Sequence, residues 1–270
     1  MKVTDLIRKR RSVRSFDGKP VSDHDAERIM EFARKVENPY DLAIEWKLLD
    51  AKRDGLSSPV ITGTNTWIAG KMLQVPHREE AFGYTFEKIV LYAMSLGIGT
   101  TWIAGTMDRS AFERTMNVRE GEVMPCVSPL GYPASKMSFR ETMMRKGVKA
   151  DSRLPFEKLF FDGSLDRPFN EETAGKLKDI LEAVRLGPSA VNRQPWLIVI
   201  KDNKAHFYKK AGKGMEGANW DVQKIDIGIA MYHFEMAAAE CGIRVSFMLD
   251  DPKLMNEDGL SYIASFSFEA

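Results

Sequence analysis

The stretch RLGPSAVNRQPWLIVI, residues 185–200, decides the fold. It closes one helical pattern, passes through a connection rich in Gly, Pro, Ser, Asn and Gln, and enters an apolar strand. Pro188 and Pro195 stiffen the connection, and Ser189, Asn192 and Gln194 present hydroxyl and amide groups between them. A buried connection must satisfy its backbone polar groups, and loops held between regular elements often carry ligand sites. The bland alternative is a helix stop followed by a strand start, with Trp196 in the core. That alternative suits Trp196, whereas the density of polar side chains at 189–194 points to a binding loop.

Outward from this stretch the chain reads as one plan used twice. In FNEETAGKLKDILEAVRLGPS, Asn170 is a candidate cap, Leu177, Ile180, Leu181 and Val184 fall at helical spacing, and Gly187–Pro188 stop the helix. In VSDHDAERIMEFARKV, Ser22 and Asp25 form a candidate cap, and Ile29, Phe32, Ala33 and Val36 repeat the same spacing. A strand follows each helix, IEWKLLDAK and QPWLIVIKD, then a second β-like segment, TNTWIAGKM and KAHFYKKA. A long apolar helix comes next, FEKIVLYAMSLGIG and IAMYHFEMAAAECGIR, each closing on Gly-Ile, and then a late strand, MPCVSPLGYP and LSYIASFSFE. The boundary falls in FDGSLDRPFN, dividing the chain into halves 1–163 and 164–270.

The 270 residues are 44% hydrophobic and 29% charged, with a formal net charge of +1. Such balance argues against a general binder of nucleic acid or acidic membranes, which would carry excess Lys and Arg. No apolar run approaches the roughly 20 residues that span a bilayer, and MKVTDLIRKRRS lacks the apolar core of a signal peptide. Cys126 and Cys241 show no metal-ligand spacing and read as buried small residues. His24, His77, His206 and His233 are scattered. The expectation is a soluble, cytoplasmic, metal-free protein with neither nucleic-acid nor membrane partners.

Two further stretches carry chemistry. RKRRSVRSF, residues 8–16, sets Arg10, Arg11, Ser12 and Arg14 close together. Arg suits bidentate contact with phosphate, and Ser adds a donor. A solvated basic helix end, a kinase site at RRSV and a DNA-reading arm are the alternatives, the last without a second basic patch. LGIGTTWIAGTM, residues 96–107, brings glycines to a helix end, where backbone can approach a flat ligand. No dinucleotide-binding glycine fingerprint is present.

Together, R-R-S-V-R-x-F, P-S-A-x-N-x-Q-P-W and L-G-I-G-T-x-W-I-x-G resemble motifs of the nitroreductase family of FMN-dependent oxidoreductases, and PLGYP and SRLPFEKLFFDG resemble that family's closing segment. The resemblance implies an α+β sandwich, a mainly antiparallel sheet flanked by helices, with FMN at an interface to which two subunits contribute. It assigns Arg10, Arg11, Ser12 and Arg14 to the N-terminal flavin motif and Arg153 to the phosphate. Trp102, Ile103, Ala104 and Gly105 would lie along the isoalloxazine ring, and Pro188, Ser189, Ala190 and Asn192 belong to the loop a partner subunit contributes.

The motif order departs from the family's. VENPYDLAIEW stands where the loop is expected in the first half, without its Ser, Asn and Gln. The second half keeps the loop but has no Arg-Ser-Arg motif, and carries ECGIRVSFML in place of LGIGTTWIAG. Each half lacks what the other retains, so the chain reads as a fused pseudo-dimer with one of two sites kept, for which a monomer suffices. The resemblance implies ping-pong transfer from NADH or NADPH through FMN to a small acceptor such as a nitroaromatic or quinone. The flavin carries the chemistry, so no catalytic side chain is expected. Arg14 is the candidate positive charge near flavin N1/O2, and Phe82, Tyr84 and Phe86 line either the mouth or the core. A non-catalytic flavin-binding relative is the rival reading.

Overall fold

The first helix, α1 (Val3–Lys9), is held at its N-terminus by the carboxylate of Glu240, which accepts from the N–H groups of Val3 and Thr4. A negative charge thus sits at the positive end of the helix dipole. The start of the chain thereby joins its end: Met1–Arg8 and Asp151–Ala270 form one unit, here the terminal unit, and Lys9–Ala150 form another, the central unit. The computed structural model describes residues 1–210, 212, 220–253 and 259–269.

In the central unit the Ser22 hydroxyl accepts the Asp25 N–H at 3.1 Å and opens α2 (Asp23–Lys35), which buries Ile29 and Ala33. The chain continues through β1 (Glu45–Asp50), α3 (Ala51–Asp54), β2 (Thr66–Leu73), α4 (Arg78–Ser95), α5 (Arg109–Met116), β3 (Glu122–Val123), β4 (Val127–Leu130) and α6 (Phe139–Gly147). The central strand β2 pairs antiparallel with β1, from Glu45↔Lys71 to Asp50↔Thr66, and with β4, from Thr66↔Leu130 to Ala69↔Val127. β3 extends the sheet at Met72↔Val123. Beyond β4, residues 99–103 add single bridges, Gly99↔Gly131 and Ile103↔Val127.

Side chains alternate across the sheet, so each face has its own aromatic anchor. On one face Trp46 packs on Phe82 and Phe86 of α4, with ring centroids 5.3 and 5.0 Å apart. On the other, Trp67 meets Phe112 of α5 edge-on at 5.1 Å, within a buried cluster that includes Leu49, Ile103, Met116 and Val127.

The terminal unit carries β5 (Phe160–Asp162), α7 (Lys178–Arg185), β6 (Trp196–Lys201), β7 (Lys204–Lys210), α8 (Val222–Glu240), β8 (Val245–Met248) and β9 (Leu260–Phe268). Its sheet runs β5-β6-β7-β9-β8, with β5 parallel to β6 and the other pairs antiparallel. Asp202 and Asn203 turn β6 into β7 with φ of 47° and 59°, the two positive values a tight hairpin matching the strand twist demands. α8 is buried nearly all round, through Ile225, Ile227, Ile229, Met231 and Phe234 among others, as befits a helix inside a core.

The two units share a plan. Each has a central antiparallel pair (β1-β2, β6-β7), a late strand beside the second member (β4, β9), and the segment after the long helix beside that late strand. Both long helices also end alike. Gly97 and Gly242 adopt φ of 80° and 75°, and the following residues, Ile98 and Ile243, donate back to the carbonyls of Ala93 and Ala238 at 3.0 and 2.9 Å. This left-handed stop closes the last turn through backbone bonds, which favours glycine.

Two sequence expectations are corrected. The helix expected from Asn170 onward begins only at Lys178: Asn170 does accept the Thr173 N–H at 2.7 Å, but Gly175 at φ 55° breaks the run and leaves a turn. Cys241, read as buried, is exposed at the end of α8, whereas Cys126 is buried. Among the described residues no helix is long and apolar enough to cross a membrane, and no group of three or more His, Cys, Asp or Glu could hold a metal ion.

At Gly63, φ is 82° and an added Cβ would stand 2.2 Å from the Phe16 carbonyl oxygen; at Gly97 the space is open. Gly97→Ala should therefore cost about 1 kcal/mol, and Gly63→Ala clearly more, because backbone must move. Denaturant unfolding of the two variants measures the difference; equal losses would contradict the close approach.

Candidate functional site

The first group of candidate residues lies in the central unit, on an extended segment following α1. Val13 N–H donates to Thr100 O at 2.9 Å, Thr62 N–H to Arg14 O at 3.0 Å, Phe16 N–H to Thr62 O at 2.9 Å, and Ala134 N–H to Ser15 O at 3.0 Å. The backbone is thus satisfied from both edges, with Val13, Ser15 and Phe16 buried. Arg10, Arg11, Ser12 and Arg14 are half-buried.

Their guanidiniums differ in what they meet. Arg11 Nη1 pairs with the buried Glu141 at 3.3 Å. The Nε atoms of Arg10 and Arg14 are buried and have no hydrogen-bond partner among the described residues. Burial presses the Arg10 guanidinium below its ordinary range, Glu87 opposing and Arg145 adding to the effect. Arg14 is lowered by burial, with Glu141 opposing and Arg145 and Arg10 adding. Both stay protonated in a protein, so the shifts report positive charge held where it is partly desolvated.

The glycine-rich segment after α4 lies against the same neighbours. Trp102 Nε1 donates to Glu87 Oε2 at 3.1 Å, and the Trp102 ring meets Phe86 edge-on at 4.7 Å. The Glu87 charge also acts on Arg10, opposing the effect of its burial. Ile103 exchanges both backbone bonds with Val127 at 2.9 Å, which sets the path of Ala104 and Gly105. Gly105 is exposed, with open space where a Cβ would stand. Phe82, Tyr84 and Phe86 are buried, which resolves their alternatives in favour of the core.

Four charged residues that no motif pointed to organise this group. Arg109 donates to the carbonyls of Ala104, Met124 and Pro125 and so ties down the turn after Gly105. Glu87 is a buried acid in the mostly apolar stretch FEKIVLYAMS of α4, a signal legible in the sequence, with Glu79 and Glu80 also buried at the start of that helix. Glu141 and Arg145 sit on α6, whose S-F-R-E opening is a capping-box pattern. Ser138 Oγ does accept the Glu141 N–H at 3.1 Å, but Ser15 Oγ takes the Ser138 N–H at 3.2 Å, and the Glu141 carboxylate turns to Arg11.

The second group lies in the terminal unit, and its polar side chains are engaged within that unit. Ser189 Oγ accepts the Gln194 N–H at 2.8 Å, Gln194 Oε1 accepts the Leu154 N–H at 2.9 Å, and Asn192 Nδ2 donates to Ser152 O at 3.0 Å. Arg153 donates through Nη2 to Leu186 O at 3.1 Å and through Nη1 to Ser152 O at 2.7 Å. The loop thereby clasps residues 152–154, so its polar side chains also carry a structural duty. Val191, Asn192 and Gln194 adopt φ of 45°, 59° and 50°. For the β-branched Val191 this is strained, and the surrounding bonds hold it. Pro188 and Ala190 are half-buried. Ala190 N–H donates to both carboxylate oxygens of Asp226 at 3.1 Å. Asp226 is a lone buried acid in the apolar α8, detectable in the same way as Glu87.

A family model described as "Putative TM nitroreductase" matches residues 2–238. Among solved structures, a "putative nitroreductase" from Thermotoga maritima MSB8 is similar at a TM-score of 0.64 and 20% identity, over 99% of this chain and 93% of its own, which shows the fold. A nitroreductase family protein from Clostridium novyi NT gives a TM-score of 0.43 at 17% identity, over 50% of this chain and 87% of its own. An FMN-dependent nitroreductase from Clostridium difficile R20291 gives 0.42 at 18% identity, over 51% of this chain and 92% of its own. No curated protein matches the chain.

Burial pushes the Asp226 carboxyl well above the usual carboxylate range, the Ala190 N–H opposing and Asp221 adding to the shift. The folded state then keeps this proton where the unfolded chain has lost it, so stability is full below about pH 4 and falls as pH rises toward the raised value. Asp226→Asn keeps an acceptor for Ala190 without the charge. It should flatten that decline and raise the melting temperature at neutral pH; identical pH profiles for the two proteins would refute the shift.

Proposed function

The chain belongs to the TM nitroreductase family, and from that premise we propose that it is an FMN-dependent oxidoreductase that passes electrons from NADH or NADPH to a nitroaromatic, quinone or similar small acceptor in two alternating half-reactions. The observation that carries the reading is the pair Arg10 and Arg14, whose buried Nε–H groups have no acceptor among the described residues. Buried charged donors left without acceptors are costly, and the phosphate and anionic edge of a flavin nucleotide supply acceptors of the right chemistry. The residues fit the cofactor.

When bound, FMN supplies hydride acceptance at N5 and the return of electrons to the acceptor. In the central unit Arg10 and Ser12 would hold the phosphate, and Arg14 would place positive charge at the N1/O2 edge, favouring the reduced form. Trp102 is fixed by Glu87, and Ile103 by Val127, so the backbone at Ala104–Gly105 is a preset surface for a flat ring, with Arg109 keeping it from shifting. The family resemblance assigns Arg153, Pro188, Ser189, Ala190 and Asn192 to the same cofactor.

A duplicated origin, with halves 1–163 and 164–270 and one site kept, belongs to this proposal. It is supported by the shared strand plan of the two units, by the matched Gly-Ile stops of α4 and α8, and by Pro39, Leu42 and Ile44 standing where Ser189, Asn192 and Gln194 stand when Trp46 is aligned with Trp196.

Purified protein should bind FMN at one per chain, and NAD(P)H should bleach its visible absorbance under anaerobic conditions. Arg14→Gln should weaken FMN about 10- to 100-fold, the worth of a charged hydrogen bond. Absence of FMN binding would overturn the proposal, and binding without bleaching would reduce the protein to a flavin carrier.

A further inference from the structure

Helix α6 buries one side and turns a basic, apolar side outward. Its inner side is pinned to the segment after α1: Ser15 Oγ donates to Ser138 Oγ at 2.9 Å where α6 starts, and the buried Glu141 pairs with Arg11 at 3.3 Å. The outer side carries Phe139, Met143 and Lys146 at i, i+4 and i+7, one stripe of a helix. Phe139 is 81% exposed, Met143 51% and the preceding Met137 47%. Among the described residues, three of the seven exposed large apolar side chains thus fall within residues 137–143. Apolar residues exposed singly need no explanation, whereas a contiguous cluster marks an interaction surface.

The exposed charge around this cluster has one sign. Lys136, Arg140 and Lys146 are exposed, and the one acid between residues 134 and 148, Glu141, is buried and turned to Arg11. Arg140 is held beside the cluster, its Nη1 donating to Pro59 O at 2.6 Å. The formal charge of +1 is a sum over 39 basic and 38 acidic residues of the whole chain and leaves this local excess standing, so the overall balance does not exclude a membrane partner at α6. A second copy of the chain would bring the same positive charges against one another, which is unfavourable. The face calls for an occupant that is negative and takes up apolar side chains.

We propose that α6 docks the protein on anionic phospholipid surfaces, with Met137, Phe139 and Met143 entering the headgroup boundary and Lys136, Arg140 and Lys146 meeting the lipid anions. Lysine within the apolar stripe favours lipid over protein as the occupant. It is depleted from protein interfaces, whereas at a lipid boundary its stem lies along apolar groups while its ammonium reaches the headgroups. Methionine side chains are flexible and suit a fluid boundary without fixed shape. At nine residues α6 is too short to span a bilayer, so it lies in the plane of the surface. The proposal is independent of the FMN reading.

The test is co-sedimentation of the full chain with vesicles of phosphatidylcholine alone or mixed with phosphatidylserine. The wild type should bind the mixed vesicles, bind the neutral ones far more weakly, and be released by high salt. Joint Lys136→Gln and Lys146→Gln should weaken binding about 10-fold or more, the scale of two cations at a lipid surface. Phe139→Ala should weaken it about 10-fold, the scale of a partly buried ring. Leu73→Ala removes another exposed apolar side chain of the central unit and should match the wild type. No binding to mixed vesicles, equal binding to both kinds, or binding that none of the α6 variants weakens would overturn the proposal. Binding of polyglutamate in place of vesicles, lost in the same variants, would assign the face to an acidic protein, and dimerisation in place of vesicle binding, lost in Phe139→Ala, would assign it to a second copy; either result overturns it too. If Phe139→Ala does not fold, Phe139→Trp decides: its emission should move to the blue on mixed vesicles relative to the wild type, and an unmoved emission refutes insertion.

Discussion

An extended segment whose backbone is satisfied along both edges can offer a ligand only its side chains, and that constraint at Val13–Phe16 organises the central unit. Thr62, Thr100, Tyr132 and Ala134 take up the main-chain groups of residues 13–17. The segment can neither shift in register nor peel away without breaking several bonds at once. Arg14 is therefore presented from a fixed backbone, and the cost of keeping its guanidinium near Arg10 is carried by the fold. Gly63 is part of the same device, because only a residue without Cβ lets the Phe16 carbonyl pass so close.

Charge balance in that neighbourhood rests on a few buried acids. Glu87 accepts from the Trp102 indole and its charge favours that of Arg10, and Glu141 serves Arg11 after leaving the capping position its sequence pattern suggests. Both acids are buried, and a buried carboxylate needs a charged or donating partner. The arrangement is thus coupled: moving one arginine would strand an acid, and neutralising one acid would strengthen the repulsion among the arginines.

The terminal unit solves a different problem with similar means. Its loop at 188–194 carries left-handed residues that are unfavourable in isolation, and they persist because Asp226, Ser189, Asn192 and Gln194 bind the backbone around them. The polar residues of the loop hold its own shape and residues 152–154. In residues 36–46 of the central unit, Pro39, Leu42 and Ile44 stand at the positions of Ser189, Asn192 and Gln194. Asn38 there binds Leu42 through both its amide and its carbonyl oxygen, closing a local turn instead.

Periodicity and punctuation in the sequence determined the helix–strand–strand–helix order of both units, the Ser22 cap and the Gly-Ile stops, since these are local properties of a few consecutive residues. The arginine motif and the polar loop were equally legible, because they are contiguous. The late start of α7 was not, for a cap and a helical spacing at 170–184 do not reveal that Gly175 adopts a positive φ. Nor could Glu87, Arg109, Glu141 and Asp226 be connected to the motifs they serve, being separated from them in the chain by anything from a few residues to more than a hundred. Their roles follow from burial and from which partners the folded chain brings within hydrogen-bonding reach. Tertiary structure alone decides those, because the free energy of a charge depends on its surroundings and not on its neighbours in sequence.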